Sequence, residues 1–245
     1  MFVLYLDIGN SRIKWAYRAA GGQWCSGGCS ETELAGLEWP QSPERVVVSC
    51  VRSHPQLQQQ LQLRFAERLI WLSAPLPDYP HFVHCYSDSQ RLGVDRWLAM
   101  LGAARHCCDD VLVIDAGTAL TLDLLNKQHH HLGGWIVAGL QLAQRALFSQ
   151  TERVNPYADE AESAGTLPGQ DTLGCVSAGA RRQALALVAS VLADYPQHRV
   201  YICGGDGEWL LRELELTGMA DVEIHHAPHL IFDGMESLCA GSFLL

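Results

Sequence analysis

The sequence predicts an α/β protein of two similar lobes with a cleft between them. Three observations lead to this fold class. Strand-like apolar segments alternate along the chain with segments of helical periodicity. A strand, an Asp-x-Gly turn and a second strand occur twice, since the segment around Asp115 repeats the one around Asp7, 108 positions later. Each copy opens a half of similar size, which indicates an internal duplication with domains 1–108 and 109–245.

The composition fits a folded chain with a sizeable core and argues against several classes of function. Of 245 residues, 48% are hydrophobic and 18% are charged, and the formal net charge is −10. Because nucleic-acid binding requires clustered Lys and Arg, we expect no nucleic-acid partner. The apolar stretch 111–125 contains two aspartates, so we expect no membrane span. Nine cysteines without a C-x-x-C motif, and no recognisable secretory leader, favour a cytoplasmic location.

The first half is predicted to contain five strands and two helices. Apolar runs, alternation and flanking glycines predict strands at 2–6, 13–17, 23–26, 46–48 and 70–72. A helix is predicted from Pro55 to about Arg68, because proline is favoured in the first turn and leucines recur on one face. A second helix is predicted over 92–107, with Trp97 on its buried stripe.

The second half repeats this alternation with longer helices. Strands are predicted at 111–114, 120–124, 133–139, 200–203 and 222–224. Helices are predicted at about 140–151, 172–193 and 208–216, and from about 231 onwards. The strands around Asp115 therefore correspond to those around Asp7.

The turn after the first strand is a candidate phosphate site. Asp7 ends that strand, and Gly9-Asn10-Ser11 and Lys14 follow it. Glycine lets a phosphate approach backbone N–H groups, a carboxylate acts there through Mg²⁺, and lysine neutralises phosphate charge. An ordinary hairpin turn is the alternative for one such motif alone. The second copy at Asp115–Thr118, with the glycines of 204–207, favours a nucleotide held by two carboxylate turns that face one cleft.

The segment Gly93-Val94-Asp95-Arg96 is a candidate acceptor site at the start of a helix. A helix N-terminus favours an anionic group. Asp95 is placed to accept a proton from a substrate hydroxyl that attacks phosphorus, and Arg96 to pair with a substrate carboxylate. An aspartate in an N-terminal turn beside a surface arginine is the alternative, and the residues alone leave both open.

Four motifs in register resemble those of the type III pantothenate kinases, and the resemblance spans nearly the whole chain. They are Asp7-Ile8-Gly9-Asn10-Ser11-Arg12-Ile13-Lys14-Trp15, Gly93-Val94-Asp95-Arg96-Trp97, Asp115-Ala116-Gly117-Thr118-Ala119 and Gly133-Gly134-Trp135-Ile136. The resemblance implies two ribonuclease-H-like lobes, as in the actin/hexokinase/Hsp70-like superfamily. It also implies ATP-dependent phosphorylation of pantothenate, the first step of coenzyme A synthesis, by a homodimer that needs a monovalent cation such as K⁺ or NH₄⁺.

Carried over by position, the resemblance implies a role for each motif. Asp95 is implied as the general base on the pantothenate hydroxyl, Asp7 as the organiser of Mg²⁺, and Asp115 as the ligand of the monovalent cation. Thr172 is implied to reach the substrate of the partner subunit. The implied ATP-binding residues are Asp7, Ile8, Gly9, Asn10, Ser11, Arg12, Ile13, Lys14 and Thr118, and the implied pantothenate-binding residues are Tyr86, Gly93, Val94, Asp95, Arg96 and Thr172.

Two positions depart from the family pattern. Ala138 stands where the family usually has proline before Gly139, and Cys203 stands where it usually has threonine before Gly204. The first departure is expected to loosen a loop, because proline restricts the backbone. The second is expected to remove a hydroxyl contact. Both concern nucleotide binding rather than the general base.

Two alternative functions stay open at this point: another small-molecule kinase or phosphohydrolase of the same superfamily, and a regulatory accessory protein that keeps the fold. The three aspartates Asp7, Asp95 and Asp115 favour an enzyme, because a regulator has no chemical need for all of them. The run His129-His130-His131 is expected to be solvent-exposed in a loop between strands rather than to bind metal. Trp135 is expected to pack in the core or at a dimer contact.

Overall fold

The fold is described from a computed structural model covering residues 1–76, 79, 82–216 and 222–240. The chain forms two compact units. The first contains Met1–Cys108, Gln128–Leu132 and the segment from His229, and the second contains Asp109–Lys127 and Gly133–Pro228. In the described ranges, no helix has the length and apolar character that a bilayer crossing requires.

The first unit is built on a mixed five-stranded sheet. Its strands are β1 (Val3–Ile8), β2 (Ile13–Arg18), β3 (Trp24–Cys29), β4 (Arg45–Cys50) and β5 (Leu69–Leu72), in the order β3-β2-β1-β4-β5. β2 is antiparallel to β1, whereas β4 runs parallel to β1 on its other side. Every residue of β1 is buried, as expected for a central strand covered on both faces. The ends of β1 and β4 therefore lie at the same edge of the sheet.

Four helices accompany this sheet, and two of them pack unusually closely. They are α1 (Glu31–Gly36), α2 (Pro55–Phe65), α3 (Val94–His106) and α7 (Leu230–Ala240). A Cβ atom on Gly102 of α3 would clash with the carbonyl oxygen of Leu230, and one on Gly234 of α7 would clash with that of Leu98. Glycine at both positions lets the two backbones approach. This contact holds α3, whose first turn carries Asp95.

The second unit repeats the strand order of the first. Its strands are β6 (Val111–Ala116), β7 (Ala119–Leu125), β8 (His131–Ala138), β9 (Arg199–Cys203) and β10 (Ile224–His226), in the order β10-β9-β6-β7-β8. β7 is antiparallel to β6, and β9 runs parallel to β6. Reading outward from the first strand of each unit, the order is identical, which confirms the predicted two-lobed α/β fold with its internal duplication.

The helices of the second unit cover a separate apolar core. They are α4 (Leu140–Gln150), α5 (Thr172–Asp194) and α6 (Gly207–Leu216). Leu112 and Ile114 of β6 are fully buried in that core together with Val188 of α5. The predicted helices at 140–151, 172–193 and 208–216 are confirmed within about one residue at each end.

The structure differs from the sequence prediction in the division into units, in one additional helix and at the ends of several elements. The compact units are not the contiguous domains 1–108 and 109–245, because α7 packs on α3 and the short segment 128–132 groups with the first unit. Helix α1 was not expected, although Ser30 and Glu33 form a complete capping box at its start. Strand β10 begins two residues later than the predicted strand at 222–224.

Candidate active site

Asp7 lies at the end of β1 with its side chain almost fully buried, at 6% exposure. Its register partner on β4 is Ser49, whose hydroxyl donates a hydrogen bond of 2.6 Å to Asp7 Oδ1. Its register partner on β2 is Lys14. Burial raises the pKa of Asp7, while the Ser49 hydrogen bond and the charge of Lys14 oppose that rise. The Asp7 carboxylate is therefore buried and held by a hydrogen bond at the edge of the sheet.

The turn between β1 and β2 exposes the predicted phosphate loop. The Gly9 N–H donates to the Arg12 carbonyl oxygen at 3.3 Å, which closes the turn, and Asn10, Ser11 and Arg12 are exposed at its tip. A cavity of about 330 Å³ adjoins this turn, and its lining includes Gly9, Arg12, Glu31 and, just after β4, Arg52. Glu31 lies 3.5 Å from Arg52 and partly offsets its charge, so Arg12 and the backbone donors of the turn are the groups best suited to an anionic ligand.

Asp95 lies in the first turn of α3, after Gly93 at the N-cap. Its Oδ1 atom accepts a hydrogen bond of 2.8 Å from the backbone N–H of Arg96. Burial raises the pKa of Asp95, the Arg96 N–H opposes the rise, and the negative charge of Asp7 adds to it. A Cβ atom on Gly93 would lie 2.6 Å from Asp95 Oδ1, so a side chain there would displace the carboxylate. The charge of Asp7, in the same unit, therefore contributes to the raised pKa of Asp95.

Arg96 and Tyr86 form a second contact of the predicted acceptor segment. Arg96 is buried, at 8% exposure, and its Nη1 donates a hydrogen bond of 2.9 Å to the Tyr86 hydroxyl. The guanidinium also lies over the tyrosine ring, 5.8 Å from its centroid. The alternative of a surface arginine beside a capping aspartate is therefore wrong for Arg96. Val94, its neighbour in α3, is buried and serves packing.

The second unit holds Asp115 and Thr118 around the turn between β6 and β7. The Gly139 N–H donates to the Thr118 carbonyl oxygen at 3.0 Å. Gly204 follows β9 with φ of +91°, and a Cβ atom there would clash with the Ala116 carbonyl oxygen and the Asp115 carboxylate. Glycine is thus required for the approach of this loop to Asp115. These predicted site residues share one edge of the second sheet.

Thr172 begins α5 in the second unit. Asp171 caps this helix, with its side chain accepting a hydrogen bond of 2.6 Å from the Gly174 N–H. Glu160 accepts a further hydrogen bond of 2.8 Å from the Leu173 N–H, which ties the preceding loop to the helix start. Thr172 itself is half-buried. The backbone around it is therefore well anchored.

The two departures from the family pattern lie at strand ends of the second unit. Ala138 ends β8, and Gly139 then serves as the N-cap of α4. Cys203 ends β9 and is buried, at 2% exposure. Both positions therefore lie directly before the glycines that approach the turn of Asp115 and Thr118.

The comparisons with known proteins agree with these features. A family model described as type III pantothenate kinase matches residues 3–194, which include all four motifs. The chain belongs to the type III pantothenate kinase family. Enzymes of this family phosphorylate pantothenate in coenzyme A biosynthesis. The matched residues 3–194 include most of both compact units.

Curated type III pantothenate kinases align with nearly the whole chain. The enzyme of Marinobacter nauticus is 31% identical over 99% of this chain and 100% of its own length. That of Pseudomonas aeruginosa strain PAO1 is 34% identical over 97% of this chain and 98% of its own length. The chain is therefore similar to these kinases from end to end.

Solved structures show the fold of this type III pantothenate kinase at lower sequence identity. A protein assigned to the Baf family of transcriptional activators, from Campylobacter jejuni, has a TM-score of 0.56 at 21% identity and covers 99% of this chain and 100% of its own. A protein assigned as a 2-dehydro-3-deoxygalactonokinase, from Sinorhizobium meliloti, has a TM-score of 0.59 at 16% identity, with the same coverage. At such identities the likeness concerns the fold alone.

Sequence reasoning missed two residues that contact the candidate site. Ser49 can be recognised as a partner of Asp7 only after the strand pairing is known, because the contact depends on the register of β4 against β1. His131 was expected to be solvent-exposed, and this prediction is wrong, since it is buried at 3% exposure and its ring stacks on Tyr86. Its neighbour His130 is exposed, as expected, and Trp135 is 36% exposed.

Proposed function

We propose that this chain transfers the γ-phosphoryl group of ATP to the primary hydroxyl of pantothenate, with Asp95 as the general base. The observation that carries the proposal is that one compact unit holds both Asp7, buried at the end of β1, and Asp95, whose Oδ1 is held by the Arg96 N–H in the first turn of α3. An acceptor hydroxyl needs a carboxylate within hydrogen-bond reach, and the phosphoryl donor needs charge neutralisation beside it. The first unit supplies both groups.

The environment of Asp95 supports its proposed role as a base. Burial and the charge of Asp7 raise its pKa above the ordinary aspartate value. A base whose pKa lies closer to the working pH accepts a proton more effectively than an ordinary carboxylate does. The Arg96 N–H holds Oδ1, so Oδ2 is the oxygen that we assign to the substrate proton.

Arg96 and Tyr86 are proposed to bind the carboxylate end of pantothenate. A guanidinium pairs with a carboxylate through two parallel hydrogen bonds, and burial strengthens the pair. The Tyr86 hydroxyl accepts a hydrogen bond from Arg96 and thereby helps to orient the guanidinium. Gly93 and Val94 complete this segment as backbone at the helix start.

The ATP phosphates are proposed to bind the loop from Asp7 to Lys14, with Thr118 as a further ATP contact. The residues at the tip of the turn supply backbone donors, and Arg12 and Lys14 supply positive charge. Asp7 fits Mg²⁺, because a buried carboxylate with one lone-pair site taken by Ser49 offers a hard oxygen ligand. When bound, Mg²⁺ neutralises charge that develops on the phosphate oxygens.

Asp115 is proposed to hold the monovalent cation, K⁺ or NH₄⁺, in the second unit. The site fits a cation, because the Asp115 carboxylate and the Ala116 carbonyl oxygen both lie against the glycine loop at Gly204. A homodimer in the cytoplasm is also proposed, with Thr172 completing the acceptor site of the partner subunit. The anchored start of α5 supports a precise position for that threonine.

Release of ADP, measured with and without pantothenate in K⁺ and then in Na⁺ buffer, tests the proposed function. We expect ADP release to depend on pantothenate and on K⁺, and Asp115→Asn to abolish the difference between the two salts. A sugar acceptor and a polyphosphate serve as controls. Turnover of either control in the absence of pantothenate turnover would assign a different reaction to this site.

A further inference from the structure

The orientation of Tyr86 needs an explanation beyond its own segment. Residues 82–86 form no helix or strand except for an isolated bridge at Val83. Tyr86 nevertheless holds the buried guanidinium of Arg96 through a hydrogen bond of 2.9 Å. A side chain on irregular backbone keeps such a geometry only when other residues restrain it.

His131 supplies that restraint through three separate contacts. Its backbone N–H donates to the Val83 carbonyl oxygen at 2.8 Å. Its Nδ1 atom lies 3.7 Å from the Cys85 Sγ, within hydrogen-bond distance for sulfur. Its ring stacks on Tyr86, with centroids 6.1 Å apart and an interplanar angle of 14°. One histidine thus holds positions 83, 85 and 86 of the irregular segment.

His131 is suited to this task because its own position is fixed. It begins β8, and its side chain is buried at 3% exposure. A buried histidine at the start of a strand moves little compared with the exposed His130 beside it. The restraint therefore passes from His131 to the irregular segment and from there to the first turn of α3.

We propose that His131 is a positioning residue of the acceptor site, which orients Arg96 for the substrate carboxylate by holding the Tyr86 ring. The inference rests on the proposed function, since it assigns the Arg96 segment to pantothenate. In this role, His131 neither binds a metal ion nor touches the substrate. It also predicts that the planar ring at position 131 matters more than its nitrogen atoms.

Steady-state kinetics of His131→Ala and His131→Phe, with Tyr86→Ala and the double variant, test this role. We expect His131→Ala to raise the KM for pantothenate about 10-fold, the scale of one lost aromatic pair, with kcat and the KM for ATP within about twofold of wild type. His131→Phe retains a stacking ring and is expected to recover most of that loss. In the Tyr86→Ala background, His131→Ala is expected to add no further effect.

Cys85→Ala serves as the matched control, because it removes the partner of Nδ1 and leaves the stacked rings in place. We expect it to keep the KM for pantothenate near the wild-type value. A loss in the double variant equal to the product of the single losses would overturn the proposal and indicate direct substrate contact by His131. Equal rises in both KM values, or no change in His131→Ala, would also overturn it.

The wild-type enzyme separates failure of this inference from failure of the proposed function. If wild type shows no pantothenate-dependent ADP release, the proposed function fails and the positioning role fails with it. If wild type is active and His131→Ala has unchanged kinetics, only the positioning role is rejected. The ring-current shift of the His131 Cε1–H resonance, and its loss in Tyr86→Ala, checks the stack itself in solution.

Discussion

Ser49 and Asp7 are register partners on parallel strands, and the Ser49 hydroxyl donates a 2.6 Å hydrogen bond to the Asp7 carboxylate. The pair is buried, and burial raises the pKa of Asp7. An aspartate whose pKa is raised in the folded state stabilises the fold at low pH, and this contribution is lost as the pH rises through that pKa. Burial of the Asp7 carboxylate next to the phosphate loop therefore lowers the free energy of unfolding at neutral pH.

We predict that Asp7→Asn stabilises the protein at neutral pH and abolishes kinase activity. Asparagine keeps an acceptor for Ser49 without burying a charge, so a gain of about 1 kcal/mol, or roughly 2–4 °C in Tm, is expected. The gain over wild type should grow as the pH rises above the ordinary aspartate pKa of about 3.9, because wild-type Asp7 must then ionise in a buried site. Thermal unfolding over that pH series, in buffer without nucleotide, provides the measurement. A Tm of Asp7→Asn below that of wild type at every pH would contradict the conclusion that burial of the Asp7 charge destabilises the fold.

We predict that Asp95→Asn lowers kcat by about 10²–10⁴-fold, the usual range for loss of a general base. Asparagine still accepts from the Arg96 N–H, so the variant should fold and bind pantothenate. Because the pKa of Asp95 is raised, the acid limb of kcat/KM against pH should lie above the ordinary aspartate value of about 3.9. An acid limb at or below that value would argue against Asp95 as the base.

We predict that Gly102→Ala and Gly234→Ala each destabilise the first unit by about 1–3 kcal/mol, the usual cost of overpacking. In both, the new methyl group would clash with a carbonyl oxygen of the facing helix. Gly179→Ala in α5 is the matched control, since its Cβ meets open space, and a gain of about 0.5–1 kcal/mol is expected. Urea unfolding provides the free energies of unfolding. Equal changes in the free energy of unfolding at the three positions would show that helix propensity, not close packing, determines these changes.

We predict different consequences for alanine at two neighbouring glycines of the loop after β9. Gly204→Ala should destabilise the second unit by about 1–3 kcal/mol, because its φ of +91° is strained for alanine and the methyl group would clash with Ala116. Gly205→Ala should leave Tm near the wild-type value, since its Cβ meets open space. If the nucleotide approaches this loop, Gly205→Ala raises the KM for ATP. Identical Tm values for the two variants would exclude the steric assignment at Gly204.

The regular elements were predictable because their signals are local. The buried run of β1, the proline that begins α2 and the long apolar periodicity of α5 identified these elements from nearby residues alone. The capping box at Ser30 was an available signal for α1, but the helix has only six residues and the periodicity of a single turn is weak. The strand predicted at 222–224 begins two residues before β10, since the ends of this strand depend on its pairing with β9.

The sequence alone determined the duplicated α/β architecture, the family and the acidic residues of the candidate site, because these follow from short motifs and their order. Tertiary structure decided which groups surround each acid. The partner of Asp7 is Ser49, 42 residues away, and the support of Tyr86 is His131, 45 residues away. Such contacts depend on strand register and on which side of an element faces the core. Neither can be deduced from the residues of a single segment, because both are set by how distant segments pack together.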